Sequence, residues 1–565
     1  MTTDGFHLVV AALQANGVDT IYGLVGIPIT DLARTAQSSG IRYIGFRHES
    51  SAGNAAAAAG YLTQRPGVCL TTSGPGFLNG LPALANATTN CFPMIQISGS
   101  SGRAIVDLQR GDYQDLDQLN AARPFAKAAY RIGRVEDIGR GIARAVRTAI
   151  SGRPGGVYLD IPGEVLSQTM ETAAAAASVW QIVDPAPRQL PAPDAVERAL
   201  HVLAQAQRPL IVLGKGAAYA QADNAIREFV ETTGIPFLPM SMAKGLLPDS
   251  HPQSVAAARS LAISRADAVL LIGARLNWLL GHGESPQWAA DAKFIQADIA
   301  ASEFDSNQPI VAPLTGDIGS VMAALIQEVT EHPISVPAAD WTSQLQERRS
   351  ANNAKMRERL AENPHPMRFY NALGAIRAVL QQKPDVYVIN EGANALDLAR
   401  NIIDIELPRH RLDTGTWGVM GIGMGYAIAA AVETGRPVVA IEGDSAFGFS
   451  GMEIETICRY RLPVTVVILN NGGVYRGDEI PSGSVTSEKD PAPTVLNAGA
   501  RHELLAQAFG GQGYHVTTPA ELTAALSEAL ASNRPALIDC ELDPSAGVES
   551  GHLANLNPAK TTTSS

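Results

Sequence analysis

The chain has 565 residues, 43 Lys and Arg against 55 Asp and Glu for a formal net charge of -12, and 46% hydrophobic residues. It is too long for a single core, so three domains of about 150 to 200 residues are expected; the low charge content excludes a disordered or fibrous chain. The acidity argues against a nucleic-acid partner, while leaving room for a local basic pocket around an anionic ligand.

The first stretch, "MTTDGFHLVVAALQANGVDTIYG", has helical spacing and no basic leader. No run approaches the roughly 18 to 20 apolar residues that span a bilayer. A cytoplasmic protein with no membrane partner is expected. Cys69, Cys91, Cys458 and Cys540 lie far apart with no metal-ligand spacing and are read as reduced core thiols.

Along the chain, β-branched runs end in Gly-rich turns: "RPGVCLTTSGPG" (65 to 76), "RPLIVLGKGA" (208 to 217) and "RPVVAIEGDS" (436 to 445), with a plainer copy in "RPALIDCELD". Each reads as a buried parallel strand delivering a turn at its carboxyl edge, where open α/β sheets bind ligands. The fold class expected is α/β, with three doubly wound parallel-sheet domains. "ETAAAAASVWQIVDPAPRQLPAPDA" (171 to 195) reads as an extended linker, and the charged "QLQERRSANNAKMRERL" followed by "ENPHPMRF" as a second junction. These divide the chain into domains over 1–170, 190–345 and 365–545, with 546–565 as a tail.

The carboxyl-terminal domain carries the most specific chemistry. The strand ending at Glu442, the helix-like "SGMEIETICRYRLP" and the strand "VTVVIL" form a βαβ unit, so Asp444 and Asn471, 27 positions apart, emerge on one edge. An Asp carboxylate, an Asn carbonyl and a backbone carbonyl suit Mg²⁺, with phosphate oxygens and water completing an octahedron. Gly443, Ser445 and Ala446 let backbone N–H groups approach those phosphates. Taken singly, Asp444 also suits a helix cap and "NNGG" a turn.

"GDS" followed 27 positions on by "NN" resembles the thiamine-diphosphate motif of the thiamine-dependent superfamily, with Ser445 where Gly is commoner. The resemblance implies Asp444, Asn471 and the Gly473 carbonyl as magnesium ligands. It also implies an acid that protonates the cofactor's pyrimidine, and Glu49 fits, just after the strand in "IRYIGFRHESSAGNAAAAAGYLTQ" and at the head of an Ala-rich helix. Burial, which raises a carboxyl pKa, has to outweigh the helix N-terminus, which lowers it. In this superfamily the two halves usually meet across a subunit interface, so a homo-oligomer is expected, with a dimer as the minimum and a tetramer as the fuller assembly.

"GTWGVMGIGMGYA" (415 to 427) resembles the segment that props the cofactor into its bent shape, with Met420 as the prop and Gly418 offering a carbonyl. "INEGANALD" resembles the other diphosphate loop, through Glu391, Gly392, Ala393 and Asn394, and Tyr475 follows the "NNGG" turn.

Over nearly its whole length the chain resembles the oxalyl-CoA decarboxylase and 2-hydroxyacyl-CoA lyase family, through "DTIYGLVGIPITDLAR", "QISGSSGRAIVDLQRGDYQDLDQLNAA", "GARLNWLLGHG" and "ESGHLANLNP". The implied chemistry cleaves the C1–C2 bond of an acyl-CoA to formyl-CoA. A 2-hydroxyacyl substrate must lose its hydroxyl proton, whereas an oxalyl substrate expels CO₂ without a base. Asp478 and Glu479 follow the cofactor motif, and Gln114 stands beside Tyr113 where the decarboxylases place a carboxylate. Glu479 would repel the oxalyl carboxylate by about 4 kcal/mol at about 4 Å if the effective dielectric is about 20. The lyase is therefore placed ahead of the decarboxylase, with Glu49, Glu479, Tyr113, Gln114 and Ser550 as catalytic candidates. Ser550 and His552 belong to a tail that resembles the family's lid over CoA.

In the middle domain the Gly-Lys-Gly turn lacks a dinucleotide or P-loop spacing. By resemblance it is either an ADP activator site through Arg153, Lys215, Arg275 and Asp298, or a turn kept without a ligand. A degenerate regulatory subunit would have lost Glu49, Asp444 or Asn471, and a nicotinamide oxidoreductase would carry G-x-G-x-x-G after its first strand; neither pattern is present.

Overall fold

The computed structural model describes residues 1–334, 337–480, 491–497 and 499–548. Buried β-branched runs form its strands: all residues of Pro209–Leu213, Ala268–Ile272 and Val464–Asn470 are buried, as parallel strands covered on both faces require. The first sheet runs in the order Arg42–Gly45, Thr20–Gly23, Gly67–Thr71, Met94–Ser100, Gly156–Pro162, Ala128–Arg131, and every pairing in it is parallel. A second parallel sheet runs Phe237–Pro239, Pro209–Leu213, Ala268–Ile272, Lys293–Asp298, Ile310–Thr315. The third contains Tyr387–Glu391, Val438–Gly443, Val464–Asn470, Ala536–Glu541 and Gln512–Val516, in that order and again parallel. The expected α/β class with three parallel sheets is what the chain adopts.

Contacts divide the chain into two compact units. Met1–Asn352 with Ile405–Gly435 make the first, and Asn353–Asp404 with the chain from Arg436 onward make the second. The first unit thus holds two sheets together with the segment that carries Gly418 and Met420, a segment that the boundaries 365–545 had assigned to the last domain. The reason is local packing: helix Gly423–Thr434 lies against helix Glu49–Thr63 so closely that a Cβ on Gly425 would fall 2.6 Å from the Ser51 carbonyl oxygen.

Other expectations are modified. "TAAAAAS" forms helix Thr172–Ser178, consistent with the high helix propensity of Ala, so only the chain after it lacks regular structure. The charged junction lies within one long helix, Ala339–Ala361, anchored by buried Trp341 and Leu345. All four cysteines are free; Cys69 and Cys540 are buried, but Cys91 and Cys458 are only partly covered, so two of the four are not core thiols. No helix among the described residues is long and apolar enough to cross a membrane.

Candidate functional site

In the first unit the strand Arg42–Gly45 feeds a short turn into helix Glu49–Thr63, whose N-cap His48 accepts the Ser50 N–H through Nδ1 at 3.1 Å. Glu49 is the first helical residue and only 5% exposed. Its Oε2 accepts from Asn79 Nδ2 at 3.0 Å. The Ser73–Gly76 turn after strand Gly67–Thr71 packs on it: a Cβ on Gly76 would stand 3.0 Å from Glu49 Oε1, and one on Gly74, whose φ is +52°, would stand 2.5 Å from the Gln114 carbonyl oxygen. One Gly-rich turn therefore touches both Glu49 and Gln114. Gln114 itself has φ +58°, and its neighbour Tyr113 is largely exposed.

The Gly415–Gly421 segment turns on three glycines with positive φ, namely Gly415, Gly418 and Gly421; Gly418 is exposed and Met420 partly buried. Buried amides hold the elements around it. Asn86 Nδ2 donates to Asn54 Oδ1 at 3.0 Å and to the Tyr426 hydroxyl at 2.9 Å, and Asn90 Nδ2 donates to Asn86 Oδ1 at 2.6 Å. Asn90 Oδ1 in turn accepts the Thr416 N–H at 3.0 Å.

In the second unit Asp444 and the Asn471–Gly473 turn meet. Strand Val438–Gly443 pairs in parallel with strand Val464–Asn470, so both ends reach the same edge. Asp444 Oδ1 accepts from Ser445 N at 2.8 Å, and Oδ2 accepts from Gly472 N at 2.8 Å and Gly473 N at 3.0 Å. Asn471 Nδ2 donates to the Tyr475 carbonyl at 2.7 Å, which leaves its own carbonyl oxygen for another partner. Burial pushes the Asp444 carboxyl up to about 6, although the three backbone N–H groups pull the other way. Among the described residues Asp444 has no ion-pair partner, so this buried carboxylate is short of positive charge. A divalent cation with an oxygen-rich shell fits that deficit and this donor set.

The two proposed diphosphate loops adjoin. Gly392, with φ +107°, has its missing Cβ 3.1 Å from Gly443 N, and Glu391 pairs in register with Glu442 on the neighbouring strand. Ala393 and Asn394 open the helix Ala393–Ile402, and Asn394 Oδ1 accepts the Val548 N–H at 3.1 Å. Gly477 N donates to the Pro544 carbonyl at 2.9 Å, so the chain up to Val548 runs beside Tyr475 and Asn394. Ala446 is buried in the first turn after Asp444. Ser550 and His552 lie outside the described residues. Glu479 is exposed, and its carboxylate accepts from the Thr494 hydroxyl, next to the Arg476–Asp478 ion pair.

The four nucleotide candidates of the middle region converge. Arg153, Lys215, Arg275 and Asp298 line one cavity of about 350 Å³ within the first unit. Two further residues of this neighbourhood escaped the sequence reading. Glu303 bridges Arg153 and Arg275, reaching the latter at 3.2 Å. Cys91 lies with Sγ 3.1 Å from Arg153 Nη2. Desolvation pushes the Lys215 ammonium down to about 8, with Arg275 and Arg153 adding to the effect. A third omission is Glu442, fully buried with neither carboxyl oxygen hydrogen-bonded, whose pKa burial and then Glu391 raise well above the usual range. Its signal was a carboxylate inside the apolar run "VVAIEG".

Three family models match the chain: the thiamine pyrophosphate enzyme N-terminal TPP binding domain at residues 3–121, the central domain at 196–325 and the C-terminal TPP binding domain at 391–540. The class is thus a thiamine pyrophosphate enzyme. The chain is 59% identical over 556 residues to the oxalyl-CoA decarboxylase of Escherichia coli (strain K12), covering 98% of each. It is 45% identical over 570 residues to the 2-hydroxyacyl-CoA lyase of Oryza sativa subsp. japonica, covering 99% of this chain and 98% of that one. It is 41% identical over 554 residues to 2-hydroxyacyl-CoA lyase 1 of Homo sapiens, covering 96% and 95%. The chain belongs to the family of oxalyl-CoA decarboxylases and 2-hydroxyacyl-CoA lyases.

Proposed function

We propose that this enzyme decarboxylates oxalyl-CoA to formyl-CoA and CO₂, using thiamine diphosphate and Mg²⁺. The observation that carries the substrate is the 59% identity, end to end, to a protein named oxalyl-CoA decarboxylase, against 45% and 41% to the lyases. This reverses the order given by the sequence alone, which rested on Glu479. That residue is exposed and its carboxylate accepts from Thr494, so water and salt screen its charge and its repulsion of an oxalyl carboxylate falls below the figure for a close, part-buried pair. The lyase remains the second reading, and Gln114 is the observation in its favour: a neutral amide stands where the decarboxylases carry a carboxylate.

When bound, thiamine diphosphate supplies the nucleophilic carbon and the electron sink that C–C cleavage beside a thioester requires. Asp444, Asn471 and the Gly473 carbonyl would hold the magnesium ion. Gly392, Ala393, Asn394, Gly443, Ser445 and Ala446 receive the diphosphate, with Glu391 beneath them and Tyr475 alongside. Glu49, buried beside Asn79 and Gly76, would face the cofactor's pyrimidine. Met420 and Gly418 would support the cofactor between its two ends. Tyr113 and Gln114 would face the acyl group.

The Glu49 half of one copy works with the Asp444 half of another, so the active enzyme is a homo-oligomer, a dimer at least. Exposed apolar residues such as Ile27 in the first unit and Phe449 in the second suit burial in that assembly. The cavity of Arg153, Lys215, Arg275 and Asp298 would take ADP as an activator; its size suits a nucleoside diphosphate, and Arg153, Arg188, Lys215 and Arg275 supply positive charge beside Asp184, Asp298 and Asp317. The test is to supply thiamine diphosphate and Mg²⁺ with oxalyl-CoA or 2-hydroxyisobutyryl-CoA in separate reactions and follow formyl-CoA. Faster turnover of oxalyl-CoA is expected. Faster turnover of the hydroxyacyl substrate restores the lyase.

A further inference from the structure

Within the second unit, a further group of side chains, distinct from the candidate cofactor residues, lies across two neighbouring strands. His515 on strand Gln512–Val516 pairs in register with Asp539 on strand Ala536–Glu541, so both side chains leave the sheet on the same face. Helix Glu503–Ala508 begins over that face, and its first residue adds a second carboxylate. The helix comes so near that a Cβ on Gly513 would meet the Glu503 carbonyl oxygen at 2.5 Å. The ligand-type atoms of Glu503, His515 and Asp539 all lie within 4.8 Å of one another.

Burying two carboxylates together is costly unless something positive lies between them. Each has a partner on its outer side: Arg501 Nε donates to Glu503 Oε1 at 2.7 Å, while Asn470 Nδ2 and the His502 N–H donate to Asp539 at 3.0 and 3.2 Å. Both Asp539 oxygens thus accept one hydrogen bond each, but one atom of each of the other two side chains is unsatisfied. Glu503 is 1% exposed, and its Oε2 has no hydrogen-bond partner; His515 Nδ1 is likewise buried without one and stands 3.8 Å from Asp539 Oδ2. The other ring nitrogen, Nε2, lies 3.3 Å from Glu541, the outer-shell arrangement that orients an imidazole ligand. His502 Nδ1 stands 3.5 Å from Asp539 Oδ1, on the far side of that carboxylate.

We propose that Glu503, His515 and Asp539 form a binding site for a divalent transition ion of the zinc type, separate from the magnesium site of the cofactor. One imidazole nitrogen with two carboxylate oxygens is a set that favours such an ion over Mg²⁺ or Ca²⁺, which prefer oxygen alone. The partly exposed His515 ring provides the entry path. The site also reaches the cofactor turn by one bridge: Asn470 donates to Asp539, and its Oδ1 accepts the Gly472 N–H at 3.2 Å. An ion there braces the strand end from which the "NNGG" turn departs.

The test uses the holoenzyme saturated with thiamine diphosphate and Mg²⁺, equilibrated with zinc chloride, desalted, and assayed for zinc and cofactor content together. The wild type is expected to retain one zinc per chain, and His515→Asn and Glu503→Gln to bind it roughly tenfold or more weakly with cofactor content unchanged. If the wild type retains no zinc, or both variants retain it equally, the three residues are instead a histidine charged between carboxylates and the proposal is overturned. The wild-type measurement decides against the site even if a variant fails to fold.

Discussion

The ammonium of Lys215 donates to Oδ1 of Asn90 at 2.7 Å. The same oxygen accepts the backbone N–H of Thr416, so one buried amide joins the wall of the nucleotide cavity to the glycine loop that carries Gly418 and Met420. Asn90→Ala leaves a buried ammonium and a buried N–H without their acceptor. It should destabilise the protein by about 1–3 kcal/mol, measured as the shift in the urea midpoint at constant m-value. Because the loop loses its tether, KM for thiamine diphosphate should rise with it.

Lys215 also gives the cavity a pH dependence. Its folded pKa is about 8 against an ordinary 10.5, the lowering coming first from desolvation. Below pH 8 both folded and unfolded chains carry the charge, and the cost of burying it is felt in full. Between about pH 8 and 10.5 the unfolded chain binds the extra proton, so this group's contribution makes stability rise with pH through that window. Lys215→Met should therefore gain stability at pH 7 relative to the wild type, and the gain should shrink above pH 8. An anionic nucleotide needs the charged form, so ADP affinity by calorimetry should be weaker at pH 9 than at pH 7.

Gly76 tests how tightly Glu49 is aimed. An added methyl would come 2.4 Å from Thr72 Cγ2 and 3.0 Å from Glu49 Oε1, so one of them has to move. Gly76→Ala should lower kcat by roughly tenfold or more while the Asp444 half, in the other unit, still binds magnesium. An unchanged kcat would remove the positioning role of the turn.

Asp444→Asn separates folding from cofactor binding. The amide oxygen can still accept the Gly472 and Gly473 N–H groups, and relief of the desolvation that pushes this carboxyl up to about 6 offsets the loss of the Ser445 N–H acceptor. The thermal midpoint without cofactor should change little. The increase that thiamine diphosphate and Mg²⁺ give to the wild type should vanish.

Asp444 and Asn471 were legible in the sequence because a βαβ unit fixes their edge by period alone, and Glu49 because a strand and an Ala-rich helix frame it. Arg153, Lys215, Arg275 and Asp298 followed only from resemblance, since no local period brings residues 153 and 298 together. Glu303 and Asn90 carried no signal: Arg153 and Arg275 for the one, Lys215 and Thr416 for the other, lie more than twenty residues away, and nothing in "ASEF" or "TTNC" distinguishes them from ordinary turn or helix-end residues. His515 and Asp539 are hidden for the same reason, becoming neighbours only through strand register. The extended reading of 172–178 failed where local propensity won, as five consecutive alanines form a helix without a side-chain cap.

Glu479→Gln decides between the two reactions. If the enzyme is an oxalyl-CoA decarboxylase, CO₂ leaves without a base, and an exposed carboxylate already engaged by Thr494 contributes only a screened repulsion. The variant should then turn over oxalyl-CoA within about threefold of the wild type, or slightly faster at low salt where screening is weaker. If the enzyme is a lyase, removing its base should lower kcat on 2-hydroxyisobutyryl-CoA by roughly 10²-fold or more, with cofactor affinity unchanged. Measuring both substrates on both proteins at two ionic strengths separates these outcomes, because only the repulsion responds to salt.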